Sequence, residues 1–334
     1  MRIAMMGTGT FAEPTFEALI AAFGGDVVGL VTQPDRDAGN KRGSTRQTGK
    51  GMKPIADAAG IAVAQPESIN TPEGLEQLRA MRPDLLVVAA YGQILSKDVL
   101  TVPTRGIINV HASLLPKYRG AAPVAYAILG GEKQTGVTII KVTPGLDSGD
   151  MILQDALDIL PDDTTGSLEA RLSTIGARMA VDAARKYAVG GPVEGVKQDP
   201  ALVTKAPKIK KEFGLIDWTK PAEYIERFVR AMQPWPTAYT FLHRPGKEPM
   251  RVIVNKAVLR TGYSYGSTHP AGTLQDEDGD GRALHLNLIV VTGDGVGIGI
   301  TELQPAGKKK MTAEEFLRGC PIVDGMRFGP EVPA

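Results

Sequence analysis

The chain of 334 residues carries a net charge of +1, with 43% hydrophobic and 22% charged residues. This length predicts two domains, and the composition is ordinary for a globular protein. The single cysteine, Cys320, excludes an internal disulfide and a multi-cysteine metal site. The sequence shows neither an apolar run of about 18 residues nor a secretory leader, so we expect a cytoplasmic protein that does not enter membranes.

The predicted elements of the first half alternate between strands and helices. Strands are predicted at residues 2–6, 27–32, 61–64, 84–91 and 106–111, and helices at 14–22, 54–59 and 73–81. The apolar run 84–91 is typical of a strand buried on both faces of a parallel sheet. This order predicts an α/β domain with a Rossmann-like parallel sheet.

The first turn contains Gly7 and Gly9, which suits a dinucleotide-binding loop or a tight turn of steric origin. The third glycine of the dinucleotide motif is replaced by Ala12, which the motif tolerates, and the acidic residue expected about 20 residues later is poorly placed. We therefore favour the steric explanation and keep a nicotinamide oxidoreductase as an alternative.

Beyond these elements, strands are predicted at 136–142 and 150–154, followed by an amphipathic helix at 165–189 that ends at Gly190-Gly191-Pro192. We place a first domain at 1–190, a linker at 191–207 and a second domain at 208–334. The second domain has one predicted helix, and its strands fit a small, OB-like β-barrel of a kind that often holds nucleic acid. Residues 276–281 resemble a calcium loop, but Asn287 stands where the bidentate glutamate belongs, so we predict a hairpin turn.

Positive charge is concentrated in a few segments although the net charge is small. The segment 36–53 holds Arg36, Lys41, Arg42, Arg46, Lys50 and Lys53, and smaller clusters occur at 205–211 and 308–310. Such local patches favour a polyanionic partner that is bound at chosen places. The alternative is a solvated loop without a partner.

Three side chains suggest a catalytic site. Asn109 and His111 are two residues apart in a predicted strand, so they share a face, and Asp147 follows in a glycine-bounded loop. An amide can stabilise an oxyanion, an imidazole can move a proton or stabilise charge, and a carboxylate can orient the imidazole. Ser113 is in no nucleophile-elbow context. The pattern predicts acyl transfer without a metal or a covalent intermediate, against the alternative of a packed or surface histidine.

Two of these stretches resemble the signature of a known protein family. The stretch Asn109–Pro123 together with Gly145–Asp150 resembles the signature of the folate-dependent formyltransferases. The basic insertion that begins at 32–36 is similar to that of family members acting on initiator methionyl-tRNA. Further similarities occur at 206–212, 216–218, 233–236 and 303–309. The chain departs from the family at Gly9, where proline is usual, and in the order of residues 40–48.

The resemblance implies transfer of a formyl group from 10-formyltetrahydrofolate to the methionine amine of initiator methionyl-tRNA. We expect the reaction to need no metal and the protein to be a monomer. Asn109, His111 and Asp147 match the catalytic set. The folate is expected near Tyr91, Gly92, Gln93, Ile94, Ser113, Leu114, Leu115 and Pro116. The tRNA is expected near Arg36, Lys41, Arg42, Arg46, Lys50, Lys208 and Lys210.

Two other functions remain open at this point. A sugar-nucleotide formyltransferase shares the catalytic signature and can carry a second domain, but a single nucleotide sugar does not need so many cations in one loop. An RNA-binding protein with inert catalytic-looking residues would keep the basic patches and lose the chemistry. The acceptor that takes up the formyl group discriminates between these functions.

Overall fold

The structure is a computed structural model that describes residues 1–35, 49–264, 269–275 and 288–332, with side chains left out at 261–264. The chain forms two compact units. The first comprises Met1–Ala127 and Glu132–Lys208, and the second comprises Ile128–Gly131 and Ile209–Ala334. Among the described residues, no helix is both long and apolar enough to cross a membrane.

The first unit is built on a seven-stranded sheet of order β3-β2-β1-β4-β5-β6-β7. The strands are β1 (Ile3–Gly7), β2 (Val27–Val31), β3 (Ala62–Ala64), β4 (Leu85–Ala89), β5 (Ile107–His111), β6 (Gln134–Lys141) and β7 (Met151–Asp158). The first five are parallel, whereas β6 is antiparallel to both of its neighbours, β5 and β7. Every residue of β1 and β4 is buried, as expected for strands covered on both faces. The predicted Rossmann-like sheet is confirmed.

In the part of the chain that the structure describes, the α-helices that accompany this sheet are α1 (Glu13–Phe23), α2 (Met52–Ala58), α3 (Pro72–Met81), α4 (Lys97–Leu100), α5 (Pro123–Leu129) and α6 (Thr165–Val189). The short helix α4 was not predicted. The long helix α6 begins at a capping box formed by Thr164 and Ser167. A Cβ on its Gly176 would lie 2.7 Å from Val110 Cγ1, so glycine lets α6 approach the middle of β5 closely.

The glycine turn after β1 has a packing explanation. A Cβ at Gly7 would lie 2.7 Å from the Ala89 carbonyl oxygen and 2.8 Å from Ala12 Cβ. The close approach of β1, β4 and the start of α1 therefore requires glycine at this position, and no dinucleotide is needed to account for it.

The second unit contains α7 (Ala222–Ala231), α8 (Ala313–Gly319) and an antiparallel sheet of order β10-β11-β12-β9-β8-β14, with β13 paired to β12. Its strands are β8 (Ala238–Arg244), β9 (Lys247–Ser264), β10 (Leu274–Gln275), β11 (Leu288–Val291), β12 (Val296–Pro305), β13 (Met311–Thr312) and β14 (Arg327–Gly329). This nearly closed, barrel-like sheet confirms the predicted C-terminal barrel. Helix α8 was missed, and the predicted hairpin turn at 276–281 lies outside the described residues.

Thr240 on β8 joins two buried polar groups of the second unit. Its Oγ1 accepts a hydrogen bond from Trp218 Nε1 at 2.9 Å and donates one to the Gly329 carbonyl at 3.1 Å. The Trp218 ring also stacks on Phe328 with centroids 5.6 Å apart. The hydroxyl thus satisfies a donor and an acceptor that have little access to water.

Replacing Thr240 by Val removes this hydroxyl at nearly constant volume. We expect the free energy of unfolding of the second unit to fall by about 1–3 kcal/mol, because the indole N–H and the carbonyl are left buried and unpaired. Both tryptophans of the chain lie in this unit, so their fluorescence in a urea titration measures the change. Thr240→Ser keeps the hydroxyl and is the control. A loss of stability in Thr240→Ser with none in Thr240→Val would show that the methyl group matters and the hydrogen bonds do not.

Candidate active site

Strand β5 carries Asn109 and His111 on one face. Asn109 is half-buried, and His111 is 5% exposed. Asn109 pairs in register with Val88 of parallel β4 and with Ile140 of antiparallel β6. A strand held on both sides fixes the direction in which its side chains leave the sheet, so the amide and the imidazole are presented on a rigid support.

Asp147 reaches the imidazole because the loop after β6 folds back along β5. Antiparallel β6 ends beside the start of β5, where the Val142 N–H donates to the Ile107 carbonyl at 2.9 Å. The loop then returns and places Asp147 Oδ2 3.7 Å from His111 Nδ1. Asp147 has a φ of 46°, a left-handed conformation that costs a non-glycine residue about 1–2 kcal/mol. The surrounding contacts must hold it there.

Backbone groups of the segment 118–120 complete the arrangement. The Tyr118 carbonyl lies 3.0 Å from His111 Nε2, and the Gly120 N–H donates to Asp147 Oδ2 at 2.8 Å. Since a carbonyl only accepts, Nε2 is the donor of the first bond. Gly120 has a φ of 126°, and a Cβ there would lie 2.5 Å from the Ala206 carbonyl oxygen, so only glycine fits.

Glu132 binds two side chains from the same segment. Its carboxylate accepts from Lys117 Nζ at 3.0 Å and from Tyr118 Oη at 2.8 Å. Burial acts to raise the pKa of Glu132, but the hydrogen bonds from Lys117 and Tyr118 outweigh it, so this pKa lies below its ordinary value. Burial, followed by the hydrogen bond and the negative charge of Glu132, raises the pKa of Tyr118 well above its usual range. Tyr118 therefore stays protonated and anchored.

The predicted folate turn after β4 is held by side-chain amides. Gln33 Nε2 donates to the Tyr91 carbonyl at 3.1 Å, and Gln93 Oε1 accepts from the Ile69 N–H at 3.0 Å. The Tyr91 side chain is 3% exposed, and burial raises its pKa to about 12. Gly92 and Ile94 are exposed, with Ile94 at 79%. The turn thus exposes Gly92 and the side chain of Ile94, whereas the ring of Tyr91 belongs to the core.

The second predicted folate segment, 113–116, follows β5 directly. The Ser113 hydroxyl donates to the Lys117 carbonyl at 2.7 Å, so it is engaged in the turn. Thr138 Oγ1 donates to the Ser113 carbonyl at 2.6 Å and accepts from the Leu115 N–H at 3.1 Å. Ser113 and Leu115 are buried, while Leu114 and Pro116 are half-buried. The latter two are the residues of this segment whose side chains retain exposed surface.

The predicted tRNA-binding residues fall into two groups. Arg36, Lys41, Arg42 and Arg46 lie outside the described residues. Lys50 is exposed and its Nζ lies 2.6 Å from Glu17 Oε1, while its N–H donates to the buried carboxylate of Glu13 at 3.0 Å. Lys208 in the first unit and Lys210 in the second are both exposed. Among the described residues, no group of three or more His, Cys, Asp and Glu side chains is placed to hold a metal ion.

Several groups around Asp147 were missed by sequence reasoning. The Tyr118 carbonyl and the Gly120 N–H belong to the backbone, which every residue has, so side-chain identity gives no signal for them. Gln198 lies in the predicted linker, yet its side chain binds the backbone of the Asp147 loop. A polar residue in a polar connection is ordinary, and only the folded geometry reveals its contacts.

Comparison with known proteins defines the class. Residues 1–184 match the formyl transferase family, and residues 208–321 match the formyl transferase C-terminal domain family. The fold is thus that of a formyl transferase. The chain is 43% identical over 330 residues to a methionyl-tRNA formyltransferase of Citrifermentans bemidjiense, covering 98% of this chain and 96% of that protein. It is 41% identical over 328 residues to one of Bacillus velezensis, covering 98% of each. The chain belongs to the methionyl-tRNA formyltransferase family.

A solved structure shows the same fold at greater distance. The N-formyltransferase from Helicobacter canadensis, determined with folinic acid and dTDP-3-aminofucose, superposes with a TM-score of 0.66. The match covers 90% of this chain and 98% of that one at 17% identity. At this identity the likeness establishes a shared fold and leaves the acceptor of this chain to other arguments.

The low pKa of Glu132 makes stability depend on pH. A carboxyl group with a lower pKa in the folded state contributes stability above its unfolded pKa, and this contribution is lost as pH falls through the folded pKa. We expect the melting-temperature difference between wild type and Glu132→Gln to stay constant down to about pH 5 and to shrink below that, as the carboxylate is protonated. Calorimetry of both proteins at a series of pH values above and below pH 5 measures this difference in melting temperature. Glu76→Gln, at an exposed position on α3, is the control, and a pH-independent difference for Glu132→Gln would contradict the assignment.

Proposed function

We propose that this protein transfers a formyl group from 10-formyltetrahydrofolate to the amino group of methionine on initiator methionyl-tRNA. The observation that carries the proposal is the group formed by Asn109, His111 and Asp147 in a chain that matches methionyl-tRNA formyltransferases over nearly its whole length. A folate donor is supported by the folinic acid bound in the structural relative. The acceptor is supported by the names of the full-length relatives.

The reaction is a direct attack on the donor. The methionyl amine nitrogen bonds to the formyl carbon, and the formyl oxygen becomes an oxyanion in a tetrahedral intermediate. The bond from that carbon to N10 of the folate then breaks, and the proton lost by the amine ends on N10. The products are formylmethionyl-tRNA and tetrahydrofolate. No side chain is acylated, which agrees with the engagement of the Ser113 hydroxyl by the Lys117 carbonyl.

Asn109 supplies the neutral donor in this proposal. It is half-buried on β5, so its side chain has access to a substrate while its backbone is fixed by β4 and β6. A side-chain amide that donates to an oxyanion contributes about 10²–10³ in rate.

His111 supplies charge. Nε2 faces the Tyr118 carbonyl and Nδ1 faces the Asp147 carboxylate, so both ring nitrogens have oxygen neighbours that only accept hydrogen bonds. We propose that the imidazole, held between these two acceptors, stabilises the oxyanion by charge. Asp147 balances this charge and orients the ring.

The turn 91–94 fits a flat heterocyclic donor. Amide contacts from Gln33, Gln93 and Asn70 fix its backbone before any ligand arrives, which lowers the entropic cost of binding. Ile94 and Leu146 are large hydrophobic residues that are 79% and 63% exposed, on the turn and beside Asp147 respectively. Apolar surface next to fixed polar backbone groups is typical of a small-molecule site.

The basic segment 36–53 is proposed to hold the acceptor tRNA, together with Lys208 and Lys210. A tRNA carries many phosphates, so its binding draws on several cations at once. We further propose that the enzyme acts as a monomer in the cytoplasm, where aminoacyl-tRNA is made. Sedimentation of the wild-type protein at assay concentration tests whether it is a monomer.

The catalytic roles are tested by Asn109→Ala, His111→Ala and Asp147→Ala. We expect each to lower the single-turnover rate with 10-formyltetrahydrofolate and initiator methionyl-tRNA by about 10²-fold or more. Folding, followed by circular dichroism, should be retained. A sugar nucleotide is included as a competing acceptor. His269→Ala, at an exposed position in the second unit, is the control. Rates near wild type in all three variants, or formylation of the sugar nucleotide alone, would refute the proposal.

The basic segment is tested by salt and by charge removal. Affinity for initiator tRNA should fall as salt concentration rises, because each phosphate contact releases counterions. Lys41→Ala and Arg42→Ala should weaken binding and reduce the slope of log affinity against log salt by about one each. Lys50→Ala should have a smaller effect, since Glu17 already pairs with this lysine. Unchanged affinity and slope in the first two variants would show that the segment is only a connection.

A further inference from the structure

We propose that Gln198 is a positioning residue for formyl transfer, which fixes the Asp147 loop in its active geometry; this inference rests on the proposed function. Gln198 Nε2 donates to the carbonyls of Asp147 and Gly149, both at 2.8 Å. Its Oε1 accepts from Arg119 Nε at 3.0 Å and from Arg119 Nη2 at 2.8 Å. One side chain thus joins the loop that carries the carboxylate to the segment that carries the Gly120 N–H.

The chemistry of these partners requires an amide. Carbonyl oxygens only accept and a guanidinium only donates, so the group between them must donate on one side and accept on the other. The two N–H groups and the two lone pairs of the Gln198 amide are all used, which also fixes which end is nitrogen. A carboxylate could hold Arg119 and would face the two carbonyls with repulsion. An apolar side chain would hold neither.

The main chain on both sides of Gln198 is anchored. Val196 and Met151 exchange two backbone hydrogen bonds at 2.8 Å, just beyond the Asp147 loop. Further along, the Thr204 carbonyl accepts from the Arg119 N–H at 2.9 Å, and the Ala206 N–H donates to the Arg119 carbonyl at 2.7 Å. We call residues 196–206 the strap. Backbone hydrogen bonds anchor both of its ends next to the Asp147 loop and to Arg119, and Gln198 lies between these anchors.

The Asp147 loop needs such a hold. Asp147 has a φ of 46° and is the residue whose carboxylate must meet both Gly120 and His111. A Cβ at Gly149 would collide with the Lys141 carbonyl oxygen, so the loop already packs against the sheet on its far side. On the other side of the loop, the Gln198 side chain donates hydrogen bonds to the carbonyls of Asp147 and Gly149. Without it, the loop can relax toward an unstrained φ and draw the carboxylate away from the imidazole.

The test is a double-mutant cycle on the full-length protein. We expect Gln198→Met to lower kcat by about 10²-fold, the effect of a misplacement of about 1 Å. KM for methionyl-tRNA should stay within about twofold, because Asp147 acts on the chemical step. In the Asp147→Asn background the same change should cost less than about threefold, since two residues that act through one contact are not additive. Gln198→Glu retains the Arg119 contact alone and should resemble Gln198→Met in kcat.

Controls separate positioning from folding and from the proposed function. Gln134→Met removes one hydrogen bond, to Asp158 on the surface of the same sheet, and should leave kcat unchanged. Melting temperatures of all variants must lie well above the assay temperature. An undiminished loss in the Asp147→Asn background, or a Gln198→Met enzyme with wild-type kcat, overturns the positioning role alone. A wild-type protein that does not formylate methionyl-tRNA overturns the proposed function and this inference together.

Discussion

The candidate site depends on the carboxylate of Asp147. This carboxylate accepts a hydrogen bond from the Gly120 N–H and also lies next to the His111 ring. The imidazole stands on a strand and cannot move far, so the geometry is decided by whether the loop and the segment 118–120 stay in place. That segment is bound through its backbone to residues 204–206, in the part of the chain predicted as a linker. The strap is therefore a structural element of the candidate site. The residues that hold the site in place extend well beyond the signature motif.

Much of the fold could be predicted because the strongest signals are local. The buried run of β4, the amphipathic pattern of α6 and the stop at Gly190 each report on nearby residues, and the corresponding elements are present. The direction of β6 could not be predicted, since alternation of side chains is the same for parallel and antiparallel strands. Yet this direction obliges the loop after β6 to fold back before Asp147 can meet His111.

The same contrast holds within the site. Asn109, His111 and Asp147 could be proposed because few residue types perform acyl transfer, and the structure brings the last two together. The Tyr118 carbonyl, the Gly120 N–H and Gln198 could not, because their roles depend on position in the fold and on no chemistry peculiar to them. The positive φ of Asp147 could not be predicted either, since Asp adopts this conformation more often than most residues but in only a minority of its positions.

Tyr91 shows why a motif residue need not be a contact residue. Its side chain belongs to the buried core cluster that also contains Met6 and Ile69, and its carbonyl accepts a hydrogen bond from Gln33. A ligand at this turn would therefore be recognised by the backbone of residues 92–94 and by Ile94, with the tyrosine acting as the anchor that sets their position. Backbone atoms can recognise a ligand in this way because buried side chains hold them in place. This also means that substitution of Tyr91 would act on stability first and on ligand affinity through it.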